Sequence, residues 1–171
     1  IMMLWMNILS SILGIKVDIR GIPDQSANLF VSNHVTYLDI IIINKLLPVN
    51  FIAKEEISSW PVIGRLASKT GTLFIKRGDN VESSKMIYEM EERFKLQNKI
   101  VFFPEGKIGN GKRVRKFHYK LFKSIENKEL YIQPIAIRYP SGYPINNNYS
   151  EIISDKSCLL YTSPSPRDLS T

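Results

Sequence analysis

The chain has 171 residues, of which 44% are apolar, 23% charged and 11% aromatic; this excludes disordered and collagen-like classes and allows one core. One cysteine, Cys158, and two histidines, His34 and His118, exclude a disulfide framework and a multi-ligand Cys/His zinc site. The 23 Lys/Arg against 16 Asp/Glu leave a formal charge of +7, so the expected partner is anionic: nucleic acid, a phosphate-bearing ligand or a membrane surface.

Residues 1–15 carry no charge and eleven large apolar side chains. They are too few to cross about 30 Å of hydrocarbon, which takes roughly 20 helical residues. No basic stretch precedes them and no small-residue cleavage site follows, so a signal peptide is not expected. Asn7, Ser10, Ser11 and Gly14 recur every three or four residues and form one narrow polar stripe. A helix apolar on its other sides is either buried or lies in a membrane interface. The reading taken is a membrane-associating helix, truncated because the chain opens at Ile1.

From residue 16 the pattern alternates. Strands are expected at 29–32, 49–53, 72–75, 100–103 and 131–137. Between them come helices over 36–47, stopped by Pro48, and over 61–68, with Pro61 in a tolerated first-turn position. A third helix starts at Asp79 with Glu82 as a capping box, burying Ile87, Met90 and Phe94, and a fourth covers 117–125. The result is a layered α/β domain over 16–158, a central mostly parallel or mixed sheet flanked by helices, with its site at the strand C-terminal ends. Residues 159–171, ending in the Ser-Pro repeats around Pro164 and Pro166, read as a disordered or non-native tail. G-x-G-x-x-G and Walker A patterns do not occur.

Between Lys107 and Lys123 stand seven basic side chains (Lys107, Lys112, Arg113, Arg115, Lys116, Lys120, Lys123) and no acidic one. This segment suits anionic headgroups, each cation contributing about 1 kcal/mol near such a surface.

The chemistry concentrates after the first of these strands, in Asn33-His34-Val35-Thr36-Tyr37-Leu38-Asp39. Thr36 and Asp39 spell a capping box, which starts the helix at Thr36 and leaves His34 on the turn before it. Within one continuous helix residues five apart lie about 140° apart, so His34 can meet Asp39 only from that turn. His118, in a basic helix, reads as a structural or surface residue. Lys76 and Arg77 end a strand, where a guanidinium can take a phosphate bidentately.

These residues carry a resemblance. Asn33, His34 and Asp39 match the N-H-x4-D hallmark of the glycerophospholipid acyltransferases, the lysophosphatidic acid acyltransferase group. Gly71-Thr72-Leu73-Phe74-Ile75-Lys76-Arg77 resembles the family's G-x-x-F-[IV]-x-R block, and Phe103-Pro104-Glu105-Gly106 its F-P-E-G block. Gln133-Pro134-Ile135-Ala136 resembles a fourth. Two departures stand out: Lys107 follows F-P-E-G where the family has Thr or Ser, and the C-terminal portion of the domain is expected to be incomplete.

The resemblance implies O-acyl transfer from an acyl thioester, acyl-CoA or acyl-carrier protein, to a lysophospholipid hydroxyl, with 1-acylglycerol 3-phosphate as the leading acceptor. His34 would be the general base, and Asp39 would fix its tautomer. Asn33, Gly71, Phe74, Lys76, Arg77, Phe103, Pro104, Glu105, Gly106 and Pro134 would bind substrate, Glu105 by orienting Arg77 or a glycerol hydroxyl. No cofactor or metal is implied, no nucleic-acid partner is expected, and the location would be the cytoplasmic face of a membrane. Two alternatives remain at this point: the same chemistry on another acceptor such as lyso-ornithine lipid, or a non-catalytic basic module binding anionic lipid or RNA.

Overall fold

The computed structural model describes residues 2–76, 80–109, 113–126, 128–139 and 157–162, with side chains for all of these but Asn80 and 157–162. In chain order the helices are α1 (Met2–Ile12), α2 (Leu38–Leu46), α3 (Ile63–Lys69) and α4 (Asn80–Lys95). The strands are β1 (Lys16–Arg20), β2 (Ala27–Ser32), β3 (Asn50–Lys54), β4 (Leu73–Ile75), β5 (Ile100–Phe102), β6 (Tyr131–Arg138) and β7 (Ser157–Thr162). Two 3-10 turns, Glu55–Ser59 and Lys120–Ile125, complete the described elements.

The strands pair in the order β1-β7-β6-β2-β5-β3-β4. Every pairing is parallel except β6 with β7. The five strands expected from sequence form the parallel run β6-β2-β5-β3-β4, so the expected α/β class holds. Alternate residues of each strand feed two cores on opposite faces. Phe30, Phe51, Val101, Ile135 and Ile137 join Ile42, Ile43 and Leu47 of α2 on one face. Leu29, Leu73, Ile100 and Phe102 join Met86, Met90 and Phe94 of α4 on the other. The core stripe of α4 is therefore Met86, Met90 and Phe94, at i, i+4 and i+8, while Ile87 is only half-buried. Asp79, the expected cap of α4, lies outside the described residues.

Three elements depart from expectation. β1 alternates apolar and charged residues but is exposed nearly throughout, an edge strand whose signal is only Val17 and Ile19. The helix expected over 117–125 shrinks to the 3-10 turn, which packs Leu121, Phe122 and Ile125 on the α4 side, with Phe122 edge-on to Phe102 at 5.2 Å. The tail expected from residue 159 is corrected in its first residues: the run Cys158-Leu159-Leu160-Tyr161 has strand character, and β7 fills the gap between β1 and β6.

α1 turns Ser10 of its polar stripe inward, while Asn7 and Ser11 remain exposed. Ser10 is fully buried and accepts a 3.0 Å hydrogen bond from Lys45 Nζ of α2, while Leu4 and Trp5 are each 64% exposed and Ile12 76%. Among the described residues no helix is long and apolar enough to cross a membrane.

Candidate active site

Parallel pairing brings the C-terminal ends of the strands to one edge. Val31 of β2 pairs with Phe102 of β5 and Ser32 with Ile135 of β6, so the loops after these three strands meet. Into that meeting point β2 delivers His34. Its Nδ1 lies 2.8 Å from Asp39 Oδ2, with 13% of the imidazole exposed and none of the carboxylate.

α2 begins at Leu38, two residues later than expected, with Tyr37 as its N-cap and no side-chain cap hydrogen bond. Only the acid half of the expected box is formed, and it uses the carboxylate that meets His34. Asp39 Oδ2 accepts from the backbone N–H of Val35 at 2.7 Å and of Thr36 at 3.0 Å, the reciprocal half of the box. The Thr36 hydroxyl lies 3.5 Å from the Leu38 N–H, at the outer limit of a hydrogen bond. Asp39 Oδ1 accepts from the Tyr139 hydroxyl at 2.8 Å. Four donors thus surround a carboxylate with no exposure, which is how a buried charge is kept. A carboxylate facing Nδ1 favours the Nδ1–H tautomer, which leaves Nε2 with a lone pair able to accept a proton.

The ring and its peptide are held as firmly. Phe103 stacks on the imidazole with centroids 3.9 Å apart and planes 11° from parallel. The His34 N–H donates to Glu105 Oε1 at 3.0 Å, and the His34 carbonyl accepts from the Gly109 N–H at 2.6 Å. Glu105, 3% exposed, uses its other oxygen to accept from the Arg115 N–H at 2.8 Å. The Gly106 N–H closes the turn onto Phe103 O at 2.9 Å, and Pro104 O accepts from the His118 N–H at 2.8 Å.

A cleft of about 1570 Å³ opens on this dyad. Its apolar walls come from α1 (Met6, Leu9), α2 (Leu38, Ile41) and α3 (Ile63, Leu66), and Lys76, Lys107, Arg115, Lys116 and Lys120 line it with positive charge. That exceeds the roughly 300–1,000 Å³ of a small-molecule pocket and suits long apolar chains with an anionic end.

Of the residues expected to bind substrate, Lys76, Phe103, Pro104, Glu105 and Gly106 line this cleft. Four others do not. Asn33 spends its side-chain amide on the Ile137 backbone, donating to the carbonyl at 2.9 Å and accepting from the N–H at 2.7 Å, and so stitches β2 to β6. Gly71 has φ +78° and ends α3: its N–H donates to Ser68 O at 3.2 Å and that of Thr72 to Ala67 O at 3.1 Å. A Cβ there would lie 2.5 Å from Asn50 Nδ2, so the glycine serves the turn. Phe74 is half-buried away from the cleft. Pro134 is exposed on β6 just before its pairing with β7 begins at Ile135, where a missing N–H costs nothing. Glu105 is tied to backbone N–H groups, and Arg77, its expected partner, lies outside the described residues. His118 is exposed and lines the cleft.

Tyr139 was not anticipated. It follows β6, the neighbour of β2, and the same strand-end rule that points to His34 points to it.

The sequence model of the acyltransferase family matches residues 15–138. A lyso-ornithine lipid O-acyltransferase of Pseudomonas aeruginosa is 36% identical over 135 residues, 79% of this chain and 52% of that protein. A 1-acyl-sn-glycerol-3-phosphate acyltransferase of Neisseria gonorrhoeae is 32% identical over 128 residues, 74% of this chain and 50% of that protein. The chain spans about half the length of these curated relatives. The crystal structure of the 1-acyl-sn-glycerophosphate acyltransferase PlsC from Thermotoga maritima shares the fold, with a TM-score of 0.69 at 18% identity, over 99% of this chain and 70% of that one.

Proposed function

The chain belongs to the acyltransferase family, and from that premise we propose that it transfers a fatty acyl group from a thioester to the hydroxyl of a lysolipid. The observation that carries the reading is the His34–Asp39 pair, with its carboxylate fully buried, at the wall of a large apolar cleft.

In this reading the acceptor hydroxyl meets His34 Nε2, which takes its proton as the oxygen attacks the thioester carbonyl. The new C–O bond forms, the C–S bond breaks, and the imidazolium returns the proton to the departing sulfur. A thiol of pKa about 8.5 is a good leaving group, so no covalent enzyme nucleophile is required. Asp39 stabilises the imidazolium through its hydrogen bond to Nδ1. The donor is acyl-CoA or acyl-carrier protein, and α1 with the basic 113–123 segment holds the protein to an anionic membrane, the two attachments that stable anchoring requires.

The leading acceptor is 1-acylglycerol 3-phosphate, supported by the cations on the cleft. A second reading, lyso-ornithine lipid, is supported by the higher identity to the Pseudomonas protein. A thioester-release assay with both acceptors tests the proposal. Transfer should fall about 10²–10⁴-fold in His34→Ala, and near-normal transfer by that variant would remove the general-base assignment.

A further inference from the structure

Four large apolar side chains stand exposed within seven residues of the α3 region: Trp60 at 39%, Val62 at 67%, Ile63 at 52% and Leu66 at 58%. They sit on a rigid support. α3 packs so closely on the preceding 3-10 turn that a Cβ at Gly64 would lie 2.2 Å from Ser58 O and 2.7 Å from Ile57 O. The Gly64 N–H donates to Trp60 O at 3.0 Å and the Trp60 N–H to Ile57 O at 3.1 Å, which locks the turn to the helix. A contiguous apolar ridge held out to solvent on such a support marks an interaction site.

Charge identifies the occupant. From residue 57 to 78 there is no acidic side chain, and Arg65 and Lys69 are exposed beside the ridge. The exposed acids Glu55 and Glu56 lie at the far end of the supporting turn, next to Lys54. Trp60, Ile63 and Leu66 also line the cleft, whose other walls carry α1 and the cations of 113–120. Tryptophan beside aliphatic tips and flanking cations is the composition that settles at a membrane–water interface. We propose that the Trp60–Leu66 ridge is a third membrane contact, inserting into the headgroup and upper acyl region of an anionic leaflet so that the cleft opens onto lipid. The inference rests on the lysolipid reading of the cleft, and it adds the orientation in which an acceptor enters without crossing water.

The chain has two tryptophans, so Trp5→Phe leaves Trp60 as the sole indole. With vesicles of 3:1 phosphatidylcholine to phosphatidylglycerol, Trp60 emission should shift to the blue and be quenched by bromines placed high on the acyl chains. Val62, which does not line the cleft, supplies the second arm: Val62→Asp should weaken vesicle binding by roughly tenfold. The same variant should transfer normally to a short-chain lysolipid kept below its micellar concentration. Unquenched Trp60 together with unchanged vesicle binding by Val62→Asp would overturn the ridge assignment. Self-association abolished by Val62→Asp without bromine quenching would overturn it too, by naming a second copy as the occupant. Quenching without transfer by the unmutated protein would leave the ridge standing and bring down the lysolipid chemistry instead.

Discussion

The Tyr139 hydroxyl donates a 2.8 Å hydrogen bond to Asp39 Oδ1 across 100 residues of chain. It occupies the oxygen that the His34 imidazole does not use, so β6 fixes the rotation of a carboxylate that belongs to α2.

Tyr139→Phe tests that relationship. Removing one donor from a buried carboxylate should cost about 1–3 kcal/mol of stability, read as a lower urea midpoint. If Tyr139 positions the dyad, kcat falls while acceptor KM changes little, since the ring still packs. A KM effect at unchanged kcat would place the hydroxyl on the substrate instead.

Asp39→Asn preserves shape and reverses hydrogen bonding. Its NH2 would either donate to the Tyr139 hydroxyl oxygen, which must turn its own O–H away, or oppose the Val35 and Thr36 N–H groups. In both placements the carboxylate charge is gone. Transfer should drop by about 10⁴-fold, the effect of amidating the acid in a Ser-His-Asp triad. Asp39→Ala should in addition lose about 1 kcal/mol of helix capping. Single-turnover thioester release and thermal melts separate the two contributions.

Glu105→Gln asks whether this residue touches acceptor or backbone. One carboxylate oxygen serves His34 N–H and the other Arg115 N–H, so an amide must leave one of these donors facing an NH2. The expected outcome is a stability loss of about 1–3 kcal/mol, with faster hydrogen exchange over 105–118. A rise confined to acceptor KM, with an unchanged melt, would restore the acceptor-binding role.

Gly71→Ala separates fold from site within one motif. The positive φ and the 2.5 Å approach to Asn50 should make the variant less stable by about 1–3 kcal/mol. Both KM values should remain normal at a temperature where the protein is folded. A selective rise in acceptor KM would show that the G-x-x-F block binds lipid through its glycine.

The parallel run of five strands was legible because each is a short apolar run bounded by helical periodicity, as in Leu29–Val31 and Ile100–Phe102. The meeting of His34 with Asp39 was legible for a local reason: the Thr36–Asp39 pattern puts the helix start after His34, although α2 begins at Leu38 rather than at Thr36. What stayed hidden is non-local. Nothing in the neighbourhood of Asn33 says that its amide will bond Ile137, and nothing around Glu105 says that its partners are the His34 and Arg115 N–H groups. Polar residues in a motif look alike whether they face a ligand or a neighbouring loop, and only tertiary contact separates the two. The ridge at 60–66 was missed for the opposite reason. Val62, Ile63 and Leu66 look like core in the sequence, and among the described residues they stand exposed.

α1 offers a handle for engineering. Its inward face is defined by Ser10 and Lys45, and its cleft wall by Met6 and Leu9, whereas Leu4, Trp5, Ile8 and Ile12 point elsewhere. Helix placement and surface chemistry are therefore carried by separate sets of side chains. Replacing the outer set with Glu, Lys and Gln, all good helix formers, would keep the helix and its docking on α2. Turnover on monomeric acceptors could then be compared with vesicle binding in one protein, which separates the chemistry from the proposed membrane contact of α1.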